Sequence, residues 1–206
     1  MRIHDDRYNR DRRRFEVAMR FIQHEARTHT IRLWTGLTDD RIRKLYRSYL
    51  KEPAAGAPAR HRGKSPQQPA FFTRSVRARH ESALLASLCR LIGALPALTM
   101  TEAARAVPGL GRGELLCQAY ESYRALVPEP LISFEHAVFL LIALARGDEL
   151  MLGGCRECNA MLVTDRWSLR APRCIVCAPQ AGPAGEVRSA DAEGVDAGYA
   201  QLGLPL

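Results

Sequence analysis

Four cysteines stand at the spacing of a tetrathiolate metal site. Cys155-Arg-Glu-Cys158 and Cys174-Ile-Val-Cys177 are two C-x-x-C pairs separated by the 15 residues from Asn159 to Arg173. Each pair wraps one turn of backbone so that both thiolates face one ion, and a spacer of this length lets a short hairpin bring the second pair to the first. Four thiolates fill a tetrahedral sphere and leave no position for water or substrate. Cys155, Cys158, Cys174 and Cys177 are therefore expected to hold one structural zinc ion. The remaining two, Cys89 and Cys117, lie in apolar helical sequence and read as small buried hydrophobes.

No other constellation suggests chemistry. The six histidines, His4, His24, His29, His61, His80 and His136, are scattered, and none is paired at ligand spacing with an acid or a cysteine. Gly109-Leu-Gly111-Arg-Gly113 lacks the Lys-Ser/Thr of a phosphate-binding loop and follows no strand, so it reads as a helix connection. There is no serine elbow, no His-Glu-x-x-His and no isolated carboxylate pair in a catalytic setting. No enzyme and no small-molecule substrate are expected.

Charge is distributed unevenly. The chain of 206 residues carries a net +8, yet residues 1–80 hold 20 Lys and Arg against 8 Asp and Glu. Residues 81–150 hold 5 against 8, and residues 151–206 hold 5 against 6, so the excess is entirely N-terminal. A basic half joined to a mildly acidic one suggests a polyanionic partner, with nucleic acid foremost and a merely solvated basic surface as the alternative. The charged opening Met1-Arg-Ile-His-Asp-Asp-Arg-Tyr is followed by no apolar stretch of a secretory signal, and the longest apolar run, Ala137 to Ala145, is too short to span a bilayer. The expected location is the cytoplasm, where thiols stay reduced and bind metal rather than form disulfides.

The elements that must position these groups are mostly helical. Phe15, Met19, Ile22 and Ala26 recur at helical spacing from Asp11 onward, with arginines on the outer face. Further helices are expected at Thr28 to Trp34, Asp39 to Lys51, Phe71 to Leu95, Thr101 to Val107, Arg112 to Leu126 and Phe134 to Ala145, the last capped by Ser133. The Ala137 to Ala145 run is apolar all round, so its helix must be buried, in the domain or against another subunit. Tyr120 and Tyr123 share a helical face, for core packing or for a partner. Short strands such as Met161 to Thr164 complete the cysteine module. The expected organisation is a basic, helix-turn-helix-like region over 1–51, a linker or long loop over 52–70, a helical core over 71–148, a four-cysteine zinc ribbon over 149–179 and a disordered tail over 180–206.

The two helices around Gly36 have the makings of a nucleic-acid reader. Ile31, Leu37, Ile42 and Leu45 can form the shared core of a helix-turn-helix, with a permissive glycine between a bracing helix and a second helix that enters a major groove. With Ile42, Leu45, Tyr46 and Tyr49 inward, Asp40, Arg43, Lys44, Arg47 and Lys51 face out. Arg32 stands where the bracing helix usually carries a small residue, and Asp40 lies on the face that would approach phosphate. A plain basic helical hairpin is the alternative reading.

Several stretches together resemble FlhC, the bacterial flagellar transcriptional activator subunit, over roughly residues 20–180. They are Ala26-Arg27, Leu37-Thr38 with Arg41-Ile42-Arg43-Lys44-Leu45-Tyr46-Arg47, His80 with Ser82, Ala119-Tyr120 with Tyr123, and Cys155-x-x-Cys158 with Val163-Thr164 ahead of Cys174-x-x-Cys177. The basic Leu-Tyr helix about 110 residues upstream of the cysteines makes the likeness specific. The resemblance implies a DNA-binding transcriptional activator of flagellar genes, in a hetero-oligomer with an FlhD-like protein, that binds promoter DNA and recruits RNA polymerase. It implies zinc on Cys155, Cys158, Cys174 and Cys177. The face expected to meet DNA is Arg43, Lys44 and Arg47, with Arg60, Arg62 and Lys64 adding phosphate contacts. The chain departs from the family pattern at Asp39, at Asn159-Ala160 in place of Gly-Gly, and at Phe71-Phe72 in place of a tryptophan-rich stretch. A helical zinc-ribbon adaptor that binds protein without touching DNA is the rival reading.

Overall fold

The computed structural model describes residues 2–50, 61, 63–97, 107–169 and 172–177. They form six helices and one two-stranded antiparallel sheet, in the order α1 (Arg2–Gln23), α2 (Thr28–Thr35), α3 (Asp39–Leu50), α4 (Val76–Ile92), α5 (Leu110–Leu126), α6 (Phe134–Arg146), β1 (Leu150–Gly154) and β2 (Met161–Asp165). All but the last residue of the expected helix over Thr101 to Val107, the arginines Arg60 and Arg62 and the tail over 180–206 lie outside the described residues.

The apolar stripe of α1 fixes the whole arrangement. Val17, Ala18, Phe21 and Ile22 are buried, and Phe21 meets Phe134 of α6 edge-on at 4.9 Å and Trp34 of α2 at 5.9 Å. The helix begins at Arg2, well before the first apolar residue of its stripe, because its charged opening turns need no core to remain helical once α1 is nucleated. Arg13 binds Glu114 of α5 through Nε at 3.0 Å and Nη2 at 2.6 Å, and Arg20 binds Glu121 through Nε at 3.2 Å and Nη2 at 2.7 Å. Two of the arginines counted in the basic N-terminal half are thus paired with carboxylates of the same chain, at its surface.

Gly113 explains part of the glycine-rich stretch that opens α5. A Cβ there would lie 3.2 Å from Trp34 Cε3 and 3.3 Å from Phe21 Cζ, so the missing side chain lets α5 close on both rings. Gly109 serves as the N-cap of α5 with extended backbone.

α6 is the central helix. Its apolar run is buried within the molecule, with Ala137, Val138, Leu140, Leu141, Ala143 and Leu144 in the core, and Ser133 caps it by accepting the His136 N–H. α4 starts later than its apolar periodicity suggests: Pro69–Phe72 form a 3-10 turn, and Ser75 caps the helix proper by accepting the Ala78 N–H at 3.1 Å. It ends at Gly93, in left-handed conformation (φ 85°), three residues ahead of the proline. Phe72 is fully buried, and Ser82 Oγ donates to the Ala78 carbonyl and reaches the Phe72 carbonyl, joining the turn to α4.

Two buried carboxylates tie the helices together. Glu81 of α4 accepts from Arg77 Nε at 2.7 Å, from the Leu131 N–H at 2.7 Å and from the Tyr123 hydroxyl, which itself accepts the Ile132 N–H. Tyr120 donates to the Ile132 carbonyl at 3.2 Å, so both tyrosines are core residues that anchor the segment entering α6. Glu135 of α6 accepts the Arg27 N–H at 2.7 Å and the Thr30 hydroxyl at 3.0 Å. It thereby caps the start of α2, whose own N-cap residue, Arg27, makes no side-chain cap bond.

Candidate metal centre and basic helical face

The cysteine module is a hairpin fused to the helical core. β1 and β2 pair from Leu150 opposite Asp165 to Gly154 opposite Met161, which carries the first C-x-x-C just past the end of β1. Leu150 and Val163 are buried in the main core, and Ser87 of α4 lies 3.4 Å from Met161 Sδ. After Cys155 the chain turns back through Asn159, in left-handed conformation at φ 57°. The Cys155 N–H bonds the Ala160 carbonyl and the Asn159 N–H bonds the Cys155 carbonyl, each at 2.8 Å. Asparagine is among the few residues that tolerate this conformation, so the turn forms without Gly-Gly. An ideal Cβ at Gly154 would come within 2.4 Å of Asn159 Oδ1, so a side chain there would turn the Asn159 amide away from its present position.

The second pair arrives from the other side, with the Arg156 N–H on the Pro172 carbonyl at 3.0 Å. All four sulfur atoms lie within 4.8 Å of one another, and Cys158 Sγ and Cys174 Sγ are 3.6 Å apart. Tetrahedral zinc–thiolate bonds of ~2.3 Å require sulfur–sulfur separations of about 3.8 Å, so the quartet fits an ion of that size. The cysteines are free thiols rather than disulfides. Backbone N–H groups point at the sulfurs: Cys174 N–H to Cys155 Sγ and Cys177 N–H to Cys174 Sγ, both at 3.3 Å. The N–H groups of Cys158, Cys174 and Glu157 stabilise the Cys155 thiolate and bring its pKa down to about 6. The Cys174 thiol is also lowered, chiefly by the Cys177 N–H. Cys177 moves up, because its thiol is held by hydrogen bonds to the Cys174 and Cys158 sulfurs, which favour its protonated form. Four thiolates together need a cation, and the site can hold a metal ion such as zinc. Cys89 and Cys117 behave differently: both are buried, and desolvation pushes each thiol up to about 12.

The basic face lies at the opposite end of the chain, on α3. Gly36, at φ 70°, closes α2 with its N–H on the Arg32 carbonyl at 2.9 Å. Thr35 Oγ1 bonds the Ile31 carbonyl at 2.7 Å and receives the Leu37 N–H at 3.3 Å, which stiffens the turn. Ile31, Trp34, Leu37, Ile42 and Tyr46 are buried, and Tyr46 donates to the Ala26 carbonyl at 2.7 Å. Arg32 does not crowd this core. It is exposed and reaches Asp39 at 3.8 Å across the turn. Thr30 and Ile31 pack inward in its place.

Arg43, Lys44 and Arg47 are exposed together on α3. Arg43 donates to Asp40 Oδ1 at 3.0 Å, which offsets part of its charge, whereas Lys44 and Arg47 make no ion pair among the described residues. Arg41 is also exposed, and its guanidinium sits 5.8 Å from the centre of the Phe15 ring. Helical spacing alone gives no reason to single it out. Lys64 is exposed and separate from the α3 side chains in the sequence, in a segment without regular structure. The α1–α5 ion pairs and the Glu135 cap of α2 also escape the sequence, because each joins groups about a hundred residues apart.

No helix among the described residues is long and apolar enough to cross a membrane. No protein-family model and no curated protein sequence matches this chain.

Proposed function

We propose that this protein is a DNA-binding transcriptional activator of the FlhC type, acting with an FlhD-like partner on flagellar promoters and recruiting RNA polymerase there, in the cytoplasm. The observation that supports the reading is the α2–Gly36–α3 pair, in which a buried seam of Ile31, Trp34, Leu37, Ile42 and Tyr46 leaves Arg43, Lys44 and Arg47 in solvent on one helix. On this reading α2 braces, α3 approaches the major groove, and Arg43, Lys44 and Arg47 contact phosphates or guanine edges. The four cysteines hold one zinc ion that shapes the hairpin, with no catalytic role.

The test is a mobility-shift titration of the zinc-loaded protein, coexpressed with its FlhD-like partner, on a flagellar promoter across a salt series. Replacing Arg43, Lys44 and Arg47 together by alanine is expected to flatten the slope of log affinity against log salt by up to about 2.7, from ~0.9 for each phosphate that the variant no longer neutralises. Unchanged binding by that variant rejects α3 as the DNA-contacting element.

A second reading, a helical adaptor that binds protein and not DNA, is favoured by one feature. A cleft of about 1080 Å³ runs between α4 and the cysteine hairpin, and Trp167 and Val176 on its rim are strongly exposed. That reading predicts normal partner capture with no salt-dependent DNA affinity.

A further inference from the structure

We propose that the cavity between the α1–α2 turn and the first turn of α6 binds a small oxyanion, a carboxylate or phosphate, through the Arg27 guanidinium. The cavity measures about 500 Å³ and is walled by His24, Arg27, Tyr120, Arg124, Phe134 and His136 among others. That volume is within the range of small-ligand sites and far exceeds the ~30 Å³ share of one water molecule.

Three polar atoms on these walls are buried and have no hydrogen-bond partner among the described residues: Arg27 Nε, Arg27 Nη1 and His24 Nδ1. The His24 side chain is only 8% exposed, with its other nitrogen 3.0 Å from Glu121 and its ring stacked on Phe134. The carboxylates nearest in the wall are already engaged. Glu135 spends one oxygen on the Arg27 N–H and the other on the Thr30 hydroxyl, and Glu25 lies 2.7 Å from His61 Nε2. The Arg27 head is therefore a permanent positive charge with buried donors that meet no acceptor among the described residues, in a cavity where Arg124 adds a second cation. Unmet buried donors of a charged group are costly, and an anion satisfies charge and donors together.

The chemistry favours an oxyanion over a cation or a neutral ligand, because arginine offers donors and no acceptor. Donors buried beside Tyr120 and Phe134 suit a small anion better than a polyanion, whose charge would have to stay in solvent. The apolar rings give room for a short carbon body beside the charged group. The site stands whether or not α3 binds DNA.

The test uses the full, zinc-loaded chain and inorganic phosphate and succinate as separate probes, with chloride at matched ionic strength as the control. The readout is the Arg27 Nε–H resonance of the ¹⁵N-labelled protein, assigned by comparison with Arg27→Met, together with the melting temperature. Saturable movement of that resonance and a rise in melting temperature with phosphate or succinate, absent with chloride, support the site, and the probe that acts identifies the headgroup. Arg27→Met should lose the thermal response, while Arg79→Met, on the exposed face of α4, should keep it. If Arg27→Met fails to fold, Arg27→Lys, which keeps the charge and removes the guanidinium, supplies the assignment, and the wild-type resonance still decides the matter. Equal responses to chloride, no response to either oxyanion, or an undiminished response in Arg27→Met would overturn the proposal.

Discussion

Glu81 offers the sharpest test of how the helical core is held together. Its side chain is 3% exposed and receives donors from three places: Arg77 one turn earlier, Tyr123 on α5 and the Leu131 N–H in the segment leading to α6. Alanine in its place strands the Tyr123 hydroxyl proton and the Leu131 N–H, at about 1.5 kcal/mol each, a loss of about 3 kcal/mol. Arg77 adds little to that sum because it is exposed and also reaches the Glu129 carbonyl. For a chain of this size the loss lowers the melting temperature by about 6–12 °C. Glu81→Gln keeps an acceptor oxygen and the shape while presenting an amide to one donor, so it should lose roughly half as much. Thermal unfolding of the zinc-loaded protein, followed by circular dichroism, measures both. A double-mutant cycle with Tyr123→Phe should return a coupling of about 0.5–3 kcal/mol, as expected of residues in one network. A shift under about 2 °C for Glu81→Ala, or no coupling in the cycle, would refute the idea that this carboxylate organises the α4–α5–α6 junction.

Three further outcomes follow from the same structure. Gly113→Ala places a methyl against the buried rings of Trp34 and Phe21, and its overpacking cost of about 1–3 kcal/mol, less about 1 kcal/mol gained in helix propensity, should leave a net loss of up to about 2 kcal/mol in urea unfolding. Stability should fall as pH drops through and below 6.5, because burial holds the His24 and His136 pKa values below that ordinary value, so the unfolded chain takes up protons first. It should fall again below pH 4.5, where Tyr123, Arg77 and Leu131 outweigh desolvation and hold Glu81 ionised in the folded state; comparing melting temperatures of His24→Gln, His136→Gln and wild type across this range separates the two contributions to the first step. Cys174→Ser should lower bound metal from one ion per chain, measured by mass spectrometry of the native protein, and melt the hairpin at a lower temperature than the helices.

What the sequence discloses and what it conceals divide along range. The four cysteines are legible because metal ligation imposes short, fixed spacings, and the structure brings the same four sulfurs together. Helices with clear apolar stripes and local caps, such as Ser133 ahead of α6, are legible for a similar reason: the signal lies within a few residues. The start of α1 is hidden because its first turns are charged and carry no stripe, and the start of α4 because Phe71 and Phe72 continue the apolar pattern through a 3-10 turn. Arg32 is out of place in a bracing helix only if its side chain faces inward; its ion pair with Asp39 turns it out. The clustering of Arg27, His24 and Glu135 is invisible in the sequence, since no local rule connects α6 with the turn between α1 and α2.

The ion pairs between α1 and α5 set the register of the two helices. Arg13 to Arg20 and Glu114 to Glu121 are each a step of seven residues, so the two helices run side by side in the same direction and advance together by about 10.5 Å between pairs. Exposed pairs of this kind contribute at most about 1 kcal/mol apiece, so their importance is one of register rather than strength. Sliding α1 by a single turn would unseat both pairs at once and draw Phe21 away from the notch at Gly113, so α1 is keyed to α5 like a rack to its gear. Trp34 of the bracing helix belongs to the same seam, since Phe21 meets its ring and both rings close on Gly113, so the register of α1 on α5 also sets where α2 sits.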